Sequence, residues 1–296
     1  TNLALQLAKP LKLNPRDIAG RLLAELPASP LVAKAEVAGA GFINFTLAPA
    51  VKLQVVRAVL AGGADFGRSA LGGGKKVQVE FVSANPTGPL HVGPGRGAAY
   101  GASLASLLDF AGFQVTREFY VNDAGRQMDI LALSTWLRYL ELHGSTIPFP
   151  KNAYQGDYVR DMGRAIHKTH GPRYRRDAAH VTDGAPDAAT DAEAHLDALI
   201  ANAKELLGDD YAYVHNFVLT EQLGDSREDL AEFGVHFDHW FSERSLFDTG
   251  LVDKAIALLE KNGHVYQQDG AKWFRSTGFG DEKDRVVQRE NGLYTY

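Results

Sequence analysis

Val79-Glu80-Phe81-Val82-Ser83-Ala84-Asn85-Pro86-Thr87-Gly88-Pro89-Leu90-His91-Val92-Gly93-Pro94-Gly95-Arg96-Gly97 is the stretch on which the fold turns. Residues 77–82 are rich in β-branched and aromatic side chains and predict a strand, followed by a polar loop over 83–93. Residues 94–111 predict a helix, with Leu104, Leu107, Leu108 and Ala111 on its buried face, ended by Gly112. Residues 113–121 return as a strand. A β-α-β crossover of this kind builds a parallel sheet, and ligands settle at its C-terminal strand ends beside helix N-termini. The unpaired N–H groups and positive dipole end of such a helix attract phosphate. Gly93, Gly95 and Gly97 let a ligand approach the backbone, and Pro94 suits a first helical turn, where a missing N–H costs nothing. The spacing is neither that of a P-loop nor that of a dinucleotide fingerprint, and His91 taken alone reads equally as a core or capping imidazole.

Upstream, Leu3, Leu7, Leu11 and then Ile18, Leu22, Leu26 recur at helical spacing around an Asn14-Pro15 turn. Short strands over 32–37 and 42–47 and a helix over 49–60 follow. The glycines of 62–63 and 72–74 place a domain boundary at about residue 72, so that 1–72 form a small α+β domain and 73–296 a second one. Downstream, 126–143 predict a helix, and 145–230 an acidic helical insertion. Within it, 177–229 carry thirteen acidic residues against Lys204 and Arg227, and the Asp/Ala-rich run at 183–190 is expected to form mobile loops. Strand-like runs resume at 235–241, 265–268, 273–275 and 285–288, with a helix at 251–261. Asn291-Gly292 is a two-residue hairpin signal whose returning strand is only four residues long, which predicts a piece of a longer protein.

The chain has 296 residues, 45% of them hydrophobic and 23% charged, so a wholly disordered chain is excluded. No apolar run reaches the ~20 residues of a membrane helix, and no membrane partner is expected. The absence of Cys excludes disulfides, thiolate metal sites and Cys nucleophiles, and fits the expectation of a cytoplasmic protein. The net charge of −5 hides an asymmetry: residues 1–72 hold eight basic and four acidic side chains, leaving −9 on the remainder. A basic leading domain suggests a polyanion partner, although a chance imbalance of solvated charge reads as well. His143, His167, His170, His180 and His264 lack metal-ligand companions at useful spacing, so no protein-held metal is expected.

His91-Val92-Gly93 on this strand–loop–helix resembles the HIGH signature of class I aminoacyl-tRNA synthetases. Residues 80–93 together with Val121-Asn122-Asp123-Ala124-Gly125-Arg126-Gln127 resemble the bacterial arginyl-tRNA synthetases. Asp269-Gly270-Ala271-Lys272-Trp273 and Asp281-Glu282-Lys283-Asp284-Arg285-Val286-Val287 agree, and the resemblance is weakest across the acidic insertion. It implies an α/β, parallel-sheet Rossmann-type catalytic domain, incomplete at its C-terminal end, preceded by a small tRNA-contacting domain. The implied reaction activates L-arginine with ATP and Mg²⁺, releases pyrophosphate, and esterifies the arginine to its tRNA. These 296 residues alone are expected to lack full activity, and a monomer is expected.

The resemblance also assigns residues. His91 is the implied catalytic group and, with Gly93, Pro94, Gly95 and Arg96, the implied ATP site. Pro94 stands where the family has a second His; it cannot donate a hydrogen bond, so that role is absent, taken by a neighbour such as Arg96, or supplied by water. Glu80, Asn85 and Tyr296 match arginine-binding positions, and carboxylate and amide acceptors suit a guanidinium. From the residues alone, Glu80 reads as well as a surface charge and Asn85 as a turn residue. Phe42 and Asn44 correspond to residues that meet a tRNA base, one face to stack on and one edge to pair with, or else to strand core and strand surface. Asp123 reads as a cap for the helix starting near Arg126 or else as a residue that meets substrate. The lysine loop that stabilises the class I transition state is absent here and is expected in residues beyond these, since Gly88 stands where some members carry a substitute Lys. Two other readings are a nucleotidylyltransferase of the HIGH superfamily and a non-catalytic tRNA-binding fragment.

Overall fold

Asn14 caps the second helix by accepting the Arg16 N–H at 2.8 Å, and Pro15 follows at the first helical position, so the turn read at 14–15 joins two helices. The computed structural model describes residues 1–295, and Tyr296 lies outside the described residues. The chain divides into two compact units, Thr1–Gly73 with Phe110–Gly112, and the remainder. In the first, helices α1 (Leu3–Leu11) and α2 (Pro15–Ala24) accompany the antiparallel pair β1 (Val32–Ala38) and β2 (Phe42–Leu47). Ala4, Ile18, Ala19 and Ile43 form its core, with Leu7, Leu22, Leu23 and Val37 packed around them. Helix α3 (Ala50–Gly62) follows and has no buried residue.

The second unit begins with β3 (Lys76–Glu80), α4 (Val92–Phe110) and β4 (Gln114–Val121), the crossover expected from the decisive stretch. Helices α5 (Arg126–Leu142), α6 (Asp157–His170), α7 (Ala178–Val181), α8 (Ala192–Leu207) and α9 (Asp209–Glu232) then precede β5 (His239–Ser242). The sheet order is β3-β4-β5, all parallel, with Glu80 beside Glu118 and Val121 beside Ser242. Its core joins Phe81, Ala98, Phe119, Val121, Leu230 and Val235. Phe119 stacks on Trp240 with centroids 4.3 Å apart, and Phe81 meets Phe237 at 4.5 Å. The buried face of α4 is not the expected one. Leu107 is 68% exposed, and Ala98, Gly101 and Ala105 face inward instead. The reason is steric: a Cβ at Gly101 would lie 2.2 Å from the Phe81 ring, so only a stripe of small residues lets α4 dock on the strand end.

The insertion is helical, as expected. Its helices α6, α8 and α9 pack with α5 in the largest apolar cluster of the described residues, with Trp136, Leu140, Ile166, Leu196, Leu199 and Val218 fully or nearly fully buried. Acidic side chains tie it together from outside. Arg126 binds Glu193 and Asp197, each at 2.7 Å, while Asp129 accepts from Lys204 at 2.8 Å and from Tyr211 at 2.7 Å. Beyond β5, α10 (Arg244–Asp248) and α11 (Leu251–Lys261) lead into the antiparallel sheet β6 (Val265–Gln268), β7 (Ala271–Phe274), β8 (Arg285–Gln288). The chain does turn at Asn291-Gly292, but through a three-residue loop rather than the expected two-residue one. Arg289 N–H donates to the Leu293 carbonyl at 2.8 Å, Gly292 N–H to the Arg289 carbonyl at 2.9 Å, and Gly292 takes the left-handed conformation (φ 80°) that such a loop needs.

Candidate active site

The C-terminal end of β3 is bent sharply. Val82 (φ 66°) and Ser83 (φ 42°) both take left-handed backbone conformations, which are costly for a β-branched residue and cluster at functional sites. The Ser83 hydroxyl holds this bend, accepting the Tyr120 N–H at 3.0 Å and donating to Glu80 at 2.7 Å. The chain then turns through 84–90 to His91, opening a cleft of about 660 Å³. Its walls include Ser83, Asn85, Thr87, Gly88, His91, Gly93, Pro94, Gly97 and Asn122.

His91 precedes the first residue of α4 and caps it. Its carbonyl accepts the Gly95 N–H at 3.1 Å, and its Nδ1 faces the Gly93 N–H at 3.2 Å. An Nδ1 that accepts puts the proton of the neutral ring on Nε2, so the exposed edge of His91 is a donor. The helix therefore starts two residues before the expected position, and Pro94 is its third residue rather than its first. Of the first-turn amides, Gly93 is used by His91 and Pro94 has none, so the Val92 N–H is left without a partner among the described residues. An anion here would meet Val92 N–H, His91 Nε2 and the helix dipole.

Asn85 is fixed from both sides, donating to Gln127 at 2.8 Å and accepting from Asn122 at 2.6 Å. The Asn122 side-chain oxygen is buried without a partner while its residue lines the cleft, an acceptor that a ligand donor would satisfy. Glu80, on the strand end, joins this group through Ser83. Glu80, Gly95 and Arg96 are outside the cleft lining. In the first unit, Phe42 and Asn44 are both exposed on one face of β2, and Ile43 supplies the core instead. Among the described residues no cluster of three metal-ligating side chains exists.

Asp123 does not cap α5. It is 7% exposed and turns toward the neighbouring strand end, accepting from Ser242 at 2.5 Å and from the Arg244 N–H at 2.8 Å. Gly125 sits at the N-terminal boundary of α5 with no side-chain cap. The Arg244 guanidinium then reaches His215 Nδ1 at 3.1 Å. Burial first, then this guanidinium, hold His215 below its ordinary value. Glu243 beside it is held above the usual carboxylate range, chiefly by burial, with Asp123 adding in the same direction. Sequence reading missed Ser83, Gln127 and Tyr158. The first two lie inside the quoted stretches and could have been found there; nothing local to Tyr158 pointed to the site.

Comparison with known proteins gives this geometry a family. Residues 1–47 match the "Arginyl tRNA synthetase N terminal domain" and 55–143 match "tRNA synthetases class I (R), catalytic domain". The chain is 71% identical to the arginine–tRNA ligase of Azoarcus sp., covering 100% of this chain and 52% of that protein. It is 69% identical to that of Dechloromonas aromatica, with the same coverage. A Campylobacter jejuni crystal structure assigned as an arginyl-tRNA synthetase superposes with a TM-score of 0.67 at 27% identity, over 84% of this chain and 48% of that one. The Thermus thermophilus arginyl-tRNA synthetase gives 0.52 at 27% identity, over 99% and 44%. The chain thus spans about half the length of the curated relatives it matches. Among the described residues no helix is long and apolar enough to cross a membrane. Domain matches, relatives and parallel-sheet architecture agree, and the chain belongs to the arginyl-tRNA synthetase family, running from its N-terminal domain into its class I catalytic domain.

Proposed function

We propose that this chain supplies the amino-acid- and ATP-binding part of an arginine–tRNA ligase. The observation that carries the reading is the imidazole of His91 at the head of α4, its Nδ1 turned to Gly93 and its residue lining the cleft. The ATP phosphates, with Mg²⁺ as their counter-ion, lie against His91, Gly93 and the start of α4, with Pro94, Gly95 and Arg96 completing that turn. An arginine carboxylate oxygen attacks the α-phosphorus, a new P–O bond forms as the bond to the bridging oxygen breaks, and pyrophosphate leaves. The protein's contribution is alignment and neutralisation of developing charge rather than covalent chemistry. His91 donates to a phosphate oxygen as charge gathers there.

Glu80 and Asn85 receive the guanidinium, with Tyr296 as the third member of that set. A guanidinium offers five donors, and an amide held by Gln127 and Asn122 beside a carboxylate held by Ser83 presents acceptors in a fixed arrangement. In the leading domain, Phe42 and Asn44 meet a base of the tRNA, a role their joint exposure on β2 permits. The domains in this reading are 1–72 and 73–296.

The test is ATP–pyrophosphate exchange by a full-length protein containing this chain, with and without arginine and tRNA. Exchange that requires arginine is the expected result. Exchange without arginine would mean a nucleotidylyltransferase acting on another substrate, and none under any condition would leave only a tRNA-binding role.

A further inference from the structure

The loop that carries His91 has few bonds of its own. Within it, Ser83 N–H reaches Phe81 at 3.0 Å and Thr87 N–H reaches Asn85 at 2.8 Å, and no helix or strand forms before Val92. A loop so constructed keeps its shape only if something outside it holds on. Gln127 and Asn122 hold it at Asn85, and the part nearer His91 is held from the insertion. Tyr158, at the start of α6, donates its hydroxyl to the Thr87 carbonyl at 2.7 Å, four residues before His91. Behind it, α6 is anchored by Val159, Met162 and Ile166 in the large apolar cluster.

Two glycines make room for this reach. A Cβ at Gly156 would lie 2.3 Å from the Tyr158 ring, although the backbone there (φ −63°, ψ 159°) suits any residue. A Cβ at Gly88 would lie 3.2 Å from the Tyr158 hydroxyl. Both positions are thus kept bare by the same side chain. Burial pushes the Tyr158 phenol up to about 12, with Tyr154 adding in the same direction, so the hydroxyl stays a donor at any working pH.

We propose that Tyr158 is a positioning residue for the activation step, the strut by which the helical insertion sets the loop that presents His91. It touches no reacting atom; it fixes the carbonyl upstream of the one that does. This rests on the reading of His91 given above, and the test separates the two.

In the full-length protein, Tyr158→Phe deletes only the hydroxyl. The kcat of arginine-dependent exchange should fall about three- to tenfold, the scale of one neutral hydrogen bond, with the arginine KM and the thermal midpoint unchanged. Amide hydrogen exchange at Thr87 and Gly88 should accelerate while that of α6 does not. Gly156→Ala should reproduce both effects by displacing the ring, and should add nothing in a Tyr158→Ala background. An unchanged kcat, or a loss that only tracks a fall in folded protein, would overturn the proposal. Should the wild-type protein show no arginine-dependent exchange, the reading of His91 fails, and amide exchange alone decides the coupling: unaltered rates at Thr87 and Gly88 sink it, faster ones uphold it.

Discussion

The Ser83 hydroxyl donates to the Glu80 carboxylate at 2.7 Å, across the bend where β3 ends. The same oxygen accepts the Tyr120 N–H, so one hydroxyl ties a charged side chain to the next strand. The bend needs the tie, because left-handed Val82 and Ser83 each cost roughly 1–2 kcal/mol against ordinary backbone. Ser83→Ala removes both bonds and orphans the Tyr120 amide, for an expected loss of about 1–3 kcal/mol in chemical denaturation. An unchanged midpoint would show that side-chain packing alone holds the bend.

Glu80→Gln keeps the size of the side chain and removes its charge. If Glu80 receives the guanidinium, a charge-assisted bond is lost, and the arginine KM should rise about ten- to a hundredfold. Discrimination against lysine should weaken at the same time, since the planar fork of donors loses its ionic partner. A KM that stays put would return Glu80 to the role of a surface charge.

For His91 two substitutions separate its two jobs. His91→Ala should lower the kcat of adenylate formation about a hundredfold, the scale of one donor aimed at developing charge, with little change in tRNA affinity. It also removes the cap on Gly93, worth about 0.5–1 kcal/mol of stability. His91→Asn restores an acceptor for that amide without restoring the reach of Nε2. Stability should recover while the rate does not; recovery of both would make His91 a cap and nothing more.

Acid should loosen the insertion before it unfolds the rest. His215 is held below its ordinary value in the fold by burial and by Arg244, with Lys204 acting the same way and Asp129 and Asp123 opposing. The unfolded chain therefore takes up a proton near the ordinary value of about 6.5, and the folded chain only at lower pH. Stability from this group is therefore complete above that pH and declines as pH falls below it. His143, lowered by burial and then by His167, adds to the same slope. Urea midpoints should drop between about pH 7.5 and 5.5, and His215→Asn should flatten that dependence. An identical slope in the variant would place the effect elsewhere.

Local chemistry made much of this legible. Alternating valines, a turn of glycines and a returning strand give the β3–α4–β4 crossover, and Asn14-Pro15 gives the joint between α1 and α2. The helical reading of the insertion holds: beneath its acidic surface Leu196, Leu199, Ile200, Ala203 and Leu207 recur at helical intervals and are all buried. One error comes from side-chain bulk outweighing spacing. In α4 the leucines drew attention, whereas the docking face is Ala98, Gly101 and Ala105. Asp123 and Tyr158 were illegible for another reason. Their partners, Ser242 and Thr87, are distant in sequence, and no window along the chain brings them together.

Gly101 sets a clearance. Its missing methyl is what allows α4 to rest directly on the Phe81 ring, with no slack between them. The altitude of the whole helix above the sheet is thereby calibrated about one turn beyond Gly97, where the cleft wall ends. A single added carbon would act as a shim, tilting the end of the helix beside which His91 sits. The seat of the helix is thus gauged by one bare α-carbon.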